Sequence, residues 1–279
     1  MKLIKPSFEI IPQEDLFQHI EKCGRVAYKS EDKITPDSAE KFVDMLIKSG
    51  HYSPLEHGTV RFVVREKKNA DEDVILKRFL QIPYVKDKRF YVPEGNEIWH
   101  FITTNYRTIL EEKVYDARHT HDAEEFAKRV TVKFILSRAA AQQFTRHRKF
   151  SFTMESQRYC NYNKDKFGNE ITFIMPQWYE NTKYYDYHLL KEFEEALTSI
   201  EKLYMFYISK GLKPQEARAI LPNATKTELV MTGFIEDWQH FFDERCSFLA
   251  KTGKPDDEAA YLADGLYEEF VKLGYIKKD

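Results

Sequence analysis

The stretch RVTVKFILSRAAAQQFTRHR, residues 129–148, decides the fold of this chain. Its first eight residues alternate in polarity and are rich in β-branched side chains, which predicts a strand over residues 129–136. Ser137 can cap a helix, and three alanines follow it closely, so we expect a helix to begin directly after the strand. This helix leads into a basic turn at residues 146–148. A strand, a helix and a cationic turn in succession form the predicted centre of the fold.

The basic turn opens a longer segment with a high density of anion-binding side chains. Residues 146–159, RHRKFSFTMESQRY, contain three arginines, one lysine, one histidine and three serine or threonine hydroxyl groups. Because a guanidinium group presents a planar fork of donors to phosphate or carboxylate oxygens, this density predicts an anion site. The whole chain has 43 Lys and Arg against 45 Asp and Glu, so the cluster is local. The same balance argues against a protein that coats nucleic acid, which would carry a basic excess.

The remaining helix and strand patterns do not follow a repeating βαβ order. They predict an α+β fold in which helices pack on a mainly antiparallel sheet, within a single domain over residues 1–279. Residues 66–127 are interpreted as an elaboration inserted between two core strands. Helices are expected over residues 15–28, from 35–37 to Gly50, and over 74–80, 186–210, 215–220, 237–250 and 256–273. Further strands are expected over residues 59–64, 170–175 and 229–232.

Bulk properties predict a cytoplasmic protein without a metal. No apolar run approaches the roughly 20 residues that cross a bilayer, and the N-terminus has early acids, unlike a signal peptide. The three cysteines lack CxxC spacing, so neither a disulfide framework nor a zinc site is expected. His119-Thr120-His121-Asp122 suggests a metal site, but no third or fourth ligand lies nearby, so a solvated loop is the preferred interpretation.

Four separated blocks resemble the flavin-dependent thymidylate synthase family. The blocks are GHYSPLEH at 50–57, the RHRx7S pattern at 146–156, EARAILP at 216–222 and DWQHFF at 237–242. Four blocks in the right order are far more specific than one motif. The resemblance implies methylation of dUMP at C5, with methylenetetrahydrofolate as carbon donor, FAD as hydride carrier and NADPH as reductant. It also implies a homotetramer whose active sites are assembled from several subunits.

The resemblance assigns roles to matching positions of this chain. Arg245 is similar to the arginine that polarises or ionises N3 of the pyrimidine, which makes it the predicted catalytic residue. The implied FAD contacts are His51, Ser53, Arg146, His147, Arg148, Glu155 and His240. The implied dUMP contacts are Gln143, Arg146, Glu155, Ser156, Gln157, Arg158, Arg218 and Arg245.

The chain departs from the family pattern near the implied flavin contacts. Phe234, Glu236 and His240 stand where members often have Asn, Arg and Asn, and Met154 stands where some have Glu. His240 can still donate a hydrogen bond. The adenine and ring contacts of the flavin are therefore expected to differ in detail.

Two other functions remain open from the residues alone. One is a nucleic-acid-binding module that uses arginines and aromatic side chains. The other is a pyrimidine methylase in which a thiolate attacks C6, with Cys160 as the nucleophile. Numerous arginines and the absence of a cysteine in an activating setting favour stabilisation of negative charge by a guanidinium group instead.

Several candidate residues also have ordinary structural interpretations. His51 and His57 could lie at a helix end and a strand edge, and Arg218 could cap its own helix. Arg245 could form an ion pair with Asp243 or Glu244. The aromatic stripe of residues 184–207 is interpreted as core and subunit packing.

Overall fold

Helices pack on antiparallel sheets in this computed structural model, which describes residues 1–67, 74–113, 124–180, 186–251 and 253–277. The strands are β1 (Lys2–Ile4), β2 (Ser7–Ile11), β3 (Thr59–Lys67), β4 (Lys86–Val92), β5 (Glu97–Asn105), β6 (Arg129–Ser137), β7 (Ser151–Met154), β8 (Thr172–Ile174) and β9 (Lys226–Phe234). The helices are α1 (Leu16–Arg25), α2 (Ala39–Ser49), α3 (Val74–Phe79), α4 (Tyr106–Glu112), α5 (Arg138–Phe144), α6 (Gln177–Glu180), α7 (Tyr187–Ser209), α8 (Pro214–Ala217), α9 (Ile235–Arg245) and α10 (Asp257–Lys272).

The central sheet has the strand order β2-β6-β9-β7, and each neighbouring pair is antiparallel. The predicted strand at residues 129–136 is confirmed as β6. The side chain of Ser137 accepts a hydrogen bond from the Ala140 amide at 3.1 Å, so Ser137 caps α5 as predicted. The segment after the basic turn, for which no strand was predicted, forms β7. Its hydrogen bonds to β9 place the basic turn at one end of the central sheet.

A second sheet has the order β3-β5-β4 and is also antiparallel. Its strands β4 and β5 come from the segment interpreted as an inserted elaboration, and neither strand was predicted. Helix α3 confirms the helical pattern at residues 74–80. A short third sheet pairs β1 with β8 in parallel, which is the exception to the antiparallel arrangement.

One hydrophobic core lies between the central sheet and helices α5, α9 and α10. Trp238 and Phe241 of α9 are fully buried there against Phe134 of β6. The Trp238 indole N–H also donates to the Val130 carbonyl oxygen at 3.1 Å, which satisfies its polar atom. Burial of these aromatic side chains fixes α9 on the sheet and so fixes the position of its last residue, Arg245.

The ends of two helices differ from the prediction for local reasons. Helix α9 begins at Ile235, two residues early, because the Asp237 carboxylate accepts from the Phe234 amide at 3.3 Å. It ends at Arg245 rather than at residue 250, because Cys246 is extended. Helix α2 begins at Ala39, since Ser38 forms a turn with Thr35. Its predicted end at Gly50, in the left-handed conformation, is confirmed.

No helix in the described ranges is long and apolar enough to cross a membrane.

Candidate active site

A cleft of about 430 Å³ lies where the basic turn meets α9. Residues 146–150 line one side, and Asp237, His240, Glu244 and Arg245 line the other. The turn is compact because the His147 amide donates to the Phe144 carbonyl and the Phe150 amide donates to the His147 carbonyl, both at 3.1 Å. The end of α5 and the start of β7 therefore hold three consecutive basic residues against one helix.

Arg245 is held in the cleft by two hydrogen bonds. Its Nε donates to His147 Nε2 at 3.1 Å, and its Nη2 donates to the Gln143 carbonyl oxygen at 3.3 Å. Because arginine N–H groups only donate, His147 Nε2 must act as an acceptor, so the imidazole is neutral with its proton on Nδ1. Burial, followed by the charge of Arg245 and the neighbouring His240, lowers the pKa of His147 to about 4. The neutral form is therefore stable at neutral pH.

The charge of Arg245 is partly desolvated. Burial lowers the pKa of Arg245, Glu244 opposes this effect, and Arg146 lowers the pKa further. Among the described residues, its hydrogen-bond partners are His147 and Gln143 rather than a carboxylate. The ion pair with Asp243 or Glu244 considered from the sequence is therefore not what orients Arg245. Two of its five N–H groups are used, which leaves donors for a ligand.

The other basic residues of the cleft are accessible. Arg146, Arg148 and His240 are exposed, and the ring centroid of His240 lies 5.9 Å from that of His147. Helix α5 ends at Phe144, so Gln143 lies in its last turn and Arg146 follows the helix. Gln143 instead approaches the cleft through its main-chain carbonyl.

A second group of predicted residues lies at the opposite end of β7. The Glu155 amide donates to the Glu228 carbonyl at 2.9 Å, and the Ser156 amide donates to the Ala27 carbonyl at 2.9 Å. The Ser156 hydroxyl accepts from the Arg158 amide at 3.3 Å. Arg158 is exposed, with its guanidinium 5.5 Å from the Tyr159 ring centroid, and Gln157 lies between them in the chain. These residues form a loop that presents the Arg158 guanidinium at the surface.

Glu155 belongs to a buried network of lysines and carboxylates. Lys226 Nζ lies 2.8 Å from Glu155 Oε2 and 2.6 Å from Glu228 Oε1, and Lys29 Nζ lies 2.7 Å from Glu228 Oε1. Burial would raise the pKa of Glu228, but the two lysines together lower it to about 2. Burial raises the pKa of Glu155, and Lys226 opposes that change. Because Glu155 is only 2% exposed, direct contact of its side chain with FAD or dUMP stays a prediction.

The remaining predicted residues lie elsewhere on the surface. His51 follows α2, Ser53 begins a 3-10 turn at Ser53–His57, and Arg218 begins another at Arg218–Ile220; all three are exposed. None of them lines the 430 Å³ cleft. His57 is buried, with its two ring nitrogens 2.7 Å from Thr232 Oγ1 and 3.0 Å from Thr153 Oγ1, so the structural interpretation of His57 fits this geometry.

Sequence reasoning missed Lys29, Lys226 and Glu228. A signal existed for two of them, since residues two apart in a strand share a face, and β9 begins at Lys226 rather than at residue 229. Within the described residues, no group of three or more His, Cys, Asp and Glu side chains is placed to hold a metal ion. The histidine-rich segment at residues 119–122 lies outside the described residues.

The fold and the cleft together describe an α+β protein with cationic side chains gathered around one cleft. Comparison with known proteins narrows this class to a family. A family profile described as thymidylate synthase complementing protein matches residues 10–115 and 112–273. The chain belongs to this family.

Several curated relatives share a name. Proteins named flavin-dependent thymidylate synthase match from Pyrococcus abyssi (33% identity over 109 residues, 39% of this chain and 42% of the relative) and from Pyrococcus horikoshii (38% over 141 residues, 50% and 54%). One from Synechocystis sp. is 31% identical over 142 residues, 50% of this chain and 65% of the relative. The chain thus spans about half the length of the curated relatives it matches.

Solved structures include a UMP/dUMP methylase, PolB from Streptomyces cacaoi, bound with 5-Br dUMP. It has 16% identity and a TM-score of 0.48, with 98% of this chain and 93% of that chain covered. At this identity and score no residue role is transferred.

Proposed function

We propose that this chain is an FAD-dependent thymidylate synthase, which reductively methylates dUMP to dTMP. Its carbon donor is 5,10-methylenetetrahydrofolate, its reductant is NADPH, and no cysteine nucleophile takes part. Family membership supports the proposal, and the observation that carries it is Arg245 fixed by His147 in a cleft beside two exposed arginines.

The cleft has the chemistry that a flavin dinucleotide requires. Arg146 and Arg148 offer exposed guanidinium groups for a pyrophosphate, and the rings of His147, His240 and Phe150 offer surfaces and donors beside them. When bound, FAD supplies the hydride chemistry that no side chain can supply. His51, Ser53 and Glu155 complete the proposed set of FAD contacts.

The proposed role of Arg245 is to stabilise charge on the pyrimidine. As C5 becomes nucleophilic, negative charge develops along the N3 and O4 edge of the uracil ring. A planar, partly desolvated guanidinium stabilises this charge through two parallel N–H donors. His147 holds the guanidinium in one orientation, so little reorganisation is needed during the reaction.

The proposed dUMP phosphate site uses the loop at the far end of β7. Arg158 supplies an exposed cation there, and Ser156 and Gln157 supply neutral polar groups. Gln143, Arg146, Glu155 and Arg218 complete the proposed dUMP contacts. These residues occupy several separate surfaces of one chain. We therefore propose that a homotetramer assembles each active site from more than one copy.

The visible absorption spectrum and a coupled assay test this function. The purified protein should be yellow, and NADPH oxidation should depend on dUMP and accompany dTMP formation. Addition of dUMP should perturb the flavin bands. Colourless protein that cannot be reconstituted with FAD would refute the proposal.

Cys160→Ala tests the absence of a thiolate nucleophile. Cys160 is 0% exposed, as are the other two cysteines, and none is in a disulfide. Turnover should persist in the variant, because the guanidinium route needs no sulfur. Complete loss of turnover with an intact fold and bound FAD would instead support the cysteine-dependent mechanism. A nucleic-acid-binding function predicts oligonucleotide retention at low salt, which the same preparation should not show.

A further inference from the structure

The short 3-10 helix Val26–Tyr28, which follows α1, ends at a lysine in an uncommon backbone conformation. Lys29 has φ 47° and ψ 56°, in the left-handed region that favours glycine. The Lys29 amide donates to the Val26 carbonyl at 3.3 Å, and the Ser30 amide donates to the Arg25 carbonyl at 3.2 Å. Helix ends with this bonding pattern commonly have glycine at the position of Lys29. A residue with a Cβ is unfavourable there, so contacts of its side chain must compensate.

The side chain of Lys29 forms two ion pairs. Its Nζ lies 2.7 Å from Glu228 Oε1 on β9 and 3.0 Å from Glu31 Oε1. Burial would lower the pKa of Lys29, but the Glu228 carboxylate, followed by Glu31, raises it above its ordinary value. The ammonium group is therefore charged at neutral pH. Its ion pair with Glu228 joins the turn after α1 to β9 and compensates for the left-handed backbone.

The same two segments anchor the loop that carries Arg158. The Glu155 amide donates to the Glu228 carbonyl oxygen at 2.9 Å. The Ser156 amide donates to the Ala27 carbonyl oxygen, also at 2.9 Å. Ala27 lies at the end of the 3-10 helix, where carbonyl groups lack a partner inside the helix. Two consecutive amides of the loop therefore bind one carbonyl on β9 and one in the turn after α1.

The ion pair of Lys29 with Glu228 completes this arrangement. The loop joins the two anchor segments through its amides, and the ion pair joins the same two segments directly. The spacing of the two anchor carbonyl groups is thus fixed before a ligand binds. Arg158 follows the second anchored amide by two residues, and its own amide donates to the Ser156 hydroxyl at 3.3 Å. The main chain at Arg158 therefore depends on both anchors.

We propose that Lys29 is a positioning residue for the phosphate of dUMP. Its ion pair with Glu228 holds the two anchor carbonyl groups at the spacing that the loop needs. The loop then presents Ser156 and Arg158 to the phosphate without reorganisation, which favours binding. Lys29 itself does not touch the phosphate. This inference rests on the proposed function and extends it, because it gives a role to a residue that makes no proposed ligand contact.

Calorimetric titration of the FAD-saturated protein with dUMP tests the role of Lys29. Lys29→Met removes the ammonium group and should raise the dissociation constant for dUMP by about fivefold, a size of coupling common between residues of one network. Glu228 keeps Lys226 at 2.6 Å in this variant, so no buried carboxylate is left without a cation. Lys29→Gly suits the left-handed backbone and should fold. It should weaken dUMP binding to the same extent, because it also lacks the ammonium group.

Lys133→Met is the matched control. Lys133 Nζ lies 3.7 Å from the other carboxylate oxygen of Glu228, and its side chain is 25% exposed against 22% for Lys29. The variant removes a cation from the same carboxylate without changing the turn after α1, so dUMP affinity should stay unchanged. Equal weakening in Lys133→Met and Lys29→Met would overturn the proposal. Wild-type affinity in either Lys29 variant would also overturn it.

A double-mutant cycle with Arg158→Ala separates positioning of the loop from a general loss of stability. If Lys29 acts through the loop, Lys29→Met should weaken dUMP binding by less than about twofold in the Arg158→Ala background, because the cation that the loop positions is absent. Circular dichroism should verify the fold of all four proteins. An equal loss of affinity in both backgrounds would contradict the positioning role.

The titrations distinguish this inference from the proposed function. Arg158-dependent binding of dUMP that does not change in the Lys29 variants keeps the proposed function and removes only the role of Lys29. Wild-type protein that does not bind dUMP removes the proposed function, and the inference with it.

Discussion

Arg245 is oriented by an uncharged histidine, so the group that orients its guanidinium does not neutralise its charge. A carboxylate partner would have fixed the guanidinium equally well but would have neutralised it. His147 accepts one N–H and contributes no charge, because burial keeps it neutral. Arg158 is the contrasting case, an exposed cation on a loop, with its guanidinium 5.5 Å from the Tyr159 ring centroid.

Arg245→Lys should retain the fold and FAD but lose turnover by on the order of a hundredfold. An ammonium group is a point charge and cannot reproduce the two-donor fork, nor can it bond His147 and a ligand edge in one plane. Steady-state kinetics and the flavin spectrum check this prediction. An unchanged turnover number would remove Arg245 from its catalytic role.

Arg158→Ala should raise the dissociation constant for dUMP by about tenfold or more and leave FAD affinity nearly unchanged. The lost contact is a charge-assisted bond to phosphate. Because Arg158 is exposed, its removal leaves no buried partner unsatisfied, and stability should hold. Equilibrium titration of both ligands provides the measurement, and a larger loss for FAD would contradict the proposed division of contacts.

At the scale of the elements, β9 and its neighbours are joined by buried polar groups. His19 Nε2 lies 3.0 Å from Thr131 Oγ1, and Thr131 Oγ1 lies 2.7 Å from Thr232 Oγ1. Thr232 and Thr153 then flank the two ring nitrogens of His57. This series of buried hydrogen bonds links α1 to β6, β9 and β7. The lysine–carboxylate network around Glu228 links β9 to Lys29 and to Glu155, the residue directly after β7.

Lys226→Met should lower the free energy of unfolding by about 3 kcal/mol, because it leaves the buried Glu155 carboxylate without its cation, whereas Glu228 keeps Lys29. The exposed pair of Lys254 with Asp257 is the matched control, and Lys254→Met should cost at most about 1 kcal/mol. Urea denaturation of both variants tests the contrast. Equal effects would show that the buried network does not stabilise the sheet.

Acid should destabilise the protein between about pH 6.5 and pH 4. Burial lowers the pKa of His19 to about 4 and lowers that of His57 well below its ordinary value. The unfolded chain therefore binds more protons than the folded chain in this window. The contribution of these histidines to the free energy of unfolding is fully present above their pKa in the unfolded chain. It decreases as the pH falls, by up to about 1.4 kcal/mol per pH unit for each histidine. Urea midpoints at pH 7.5 and 5.0 provide the measurement. His19→Gln should reduce the difference, and equal midpoints for wild type would contradict the account.

Elements with a strong internal pattern could be predicted from the sequence, whereas elements defined by distant partners could not. The alternation in β6 and the amphipathic period of α7 are local signals, and both elements form as expected. In β7 the alternation of buried and partly buried residues spans only four positions after a run of cations, which is too short to predict a strand from the sequence. The strand forms because it pairs with β9. Strand β4 is mostly charged, and it forms because β5 lies beside it.

The same reasoning applies to the candidate site. The residues of the basic turn were identifiable because they are adjacent in the sequence. The contact between Arg245 and His147 joins residues 98 positions apart, and only the packing of α9 brings them together. Lys29 and Glu228 are separated by 199 positions, and neither motif nor spacing indicates that they meet.

At the scale of the whole molecule, the proposed ligand contacts occupy surfaces that one chain does not bring together. The long helix α7 also exposes apolar side chains, including Leu203 and Phe206 at 40% and 51%. Exposed apolar side chains on one helix are typical of an interface. Both observations support the proposed homotetramer.

Sedimentation should therefore give the mass of four 33.2 kDa chains. Phe206→Asp should shift the distribution to smaller species and lower activity, because a charge is placed in an apolar contact. Lys202→Asp, an exposed position on the same helix, is the control and should remain tetrameric. A monomeric wild-type protein with full activity would contradict the shared-site arrangement.

Strand β7 sets the spacing between the two halves of the RHRx7S pattern. Its four residues pair in register with β9, from Ser151 opposite Thr232 to Met154 opposite Leu229, and an extended strand advances about 3.3 Å per residue. The seven-residue interval thus fixes the distance between the basic turn and the Arg158 loop. One inserted residue within β7 would turn the later side chains of this strand to the other face of the sheet. The pairing of β7 with β9 therefore constrains the number of residues in this interval.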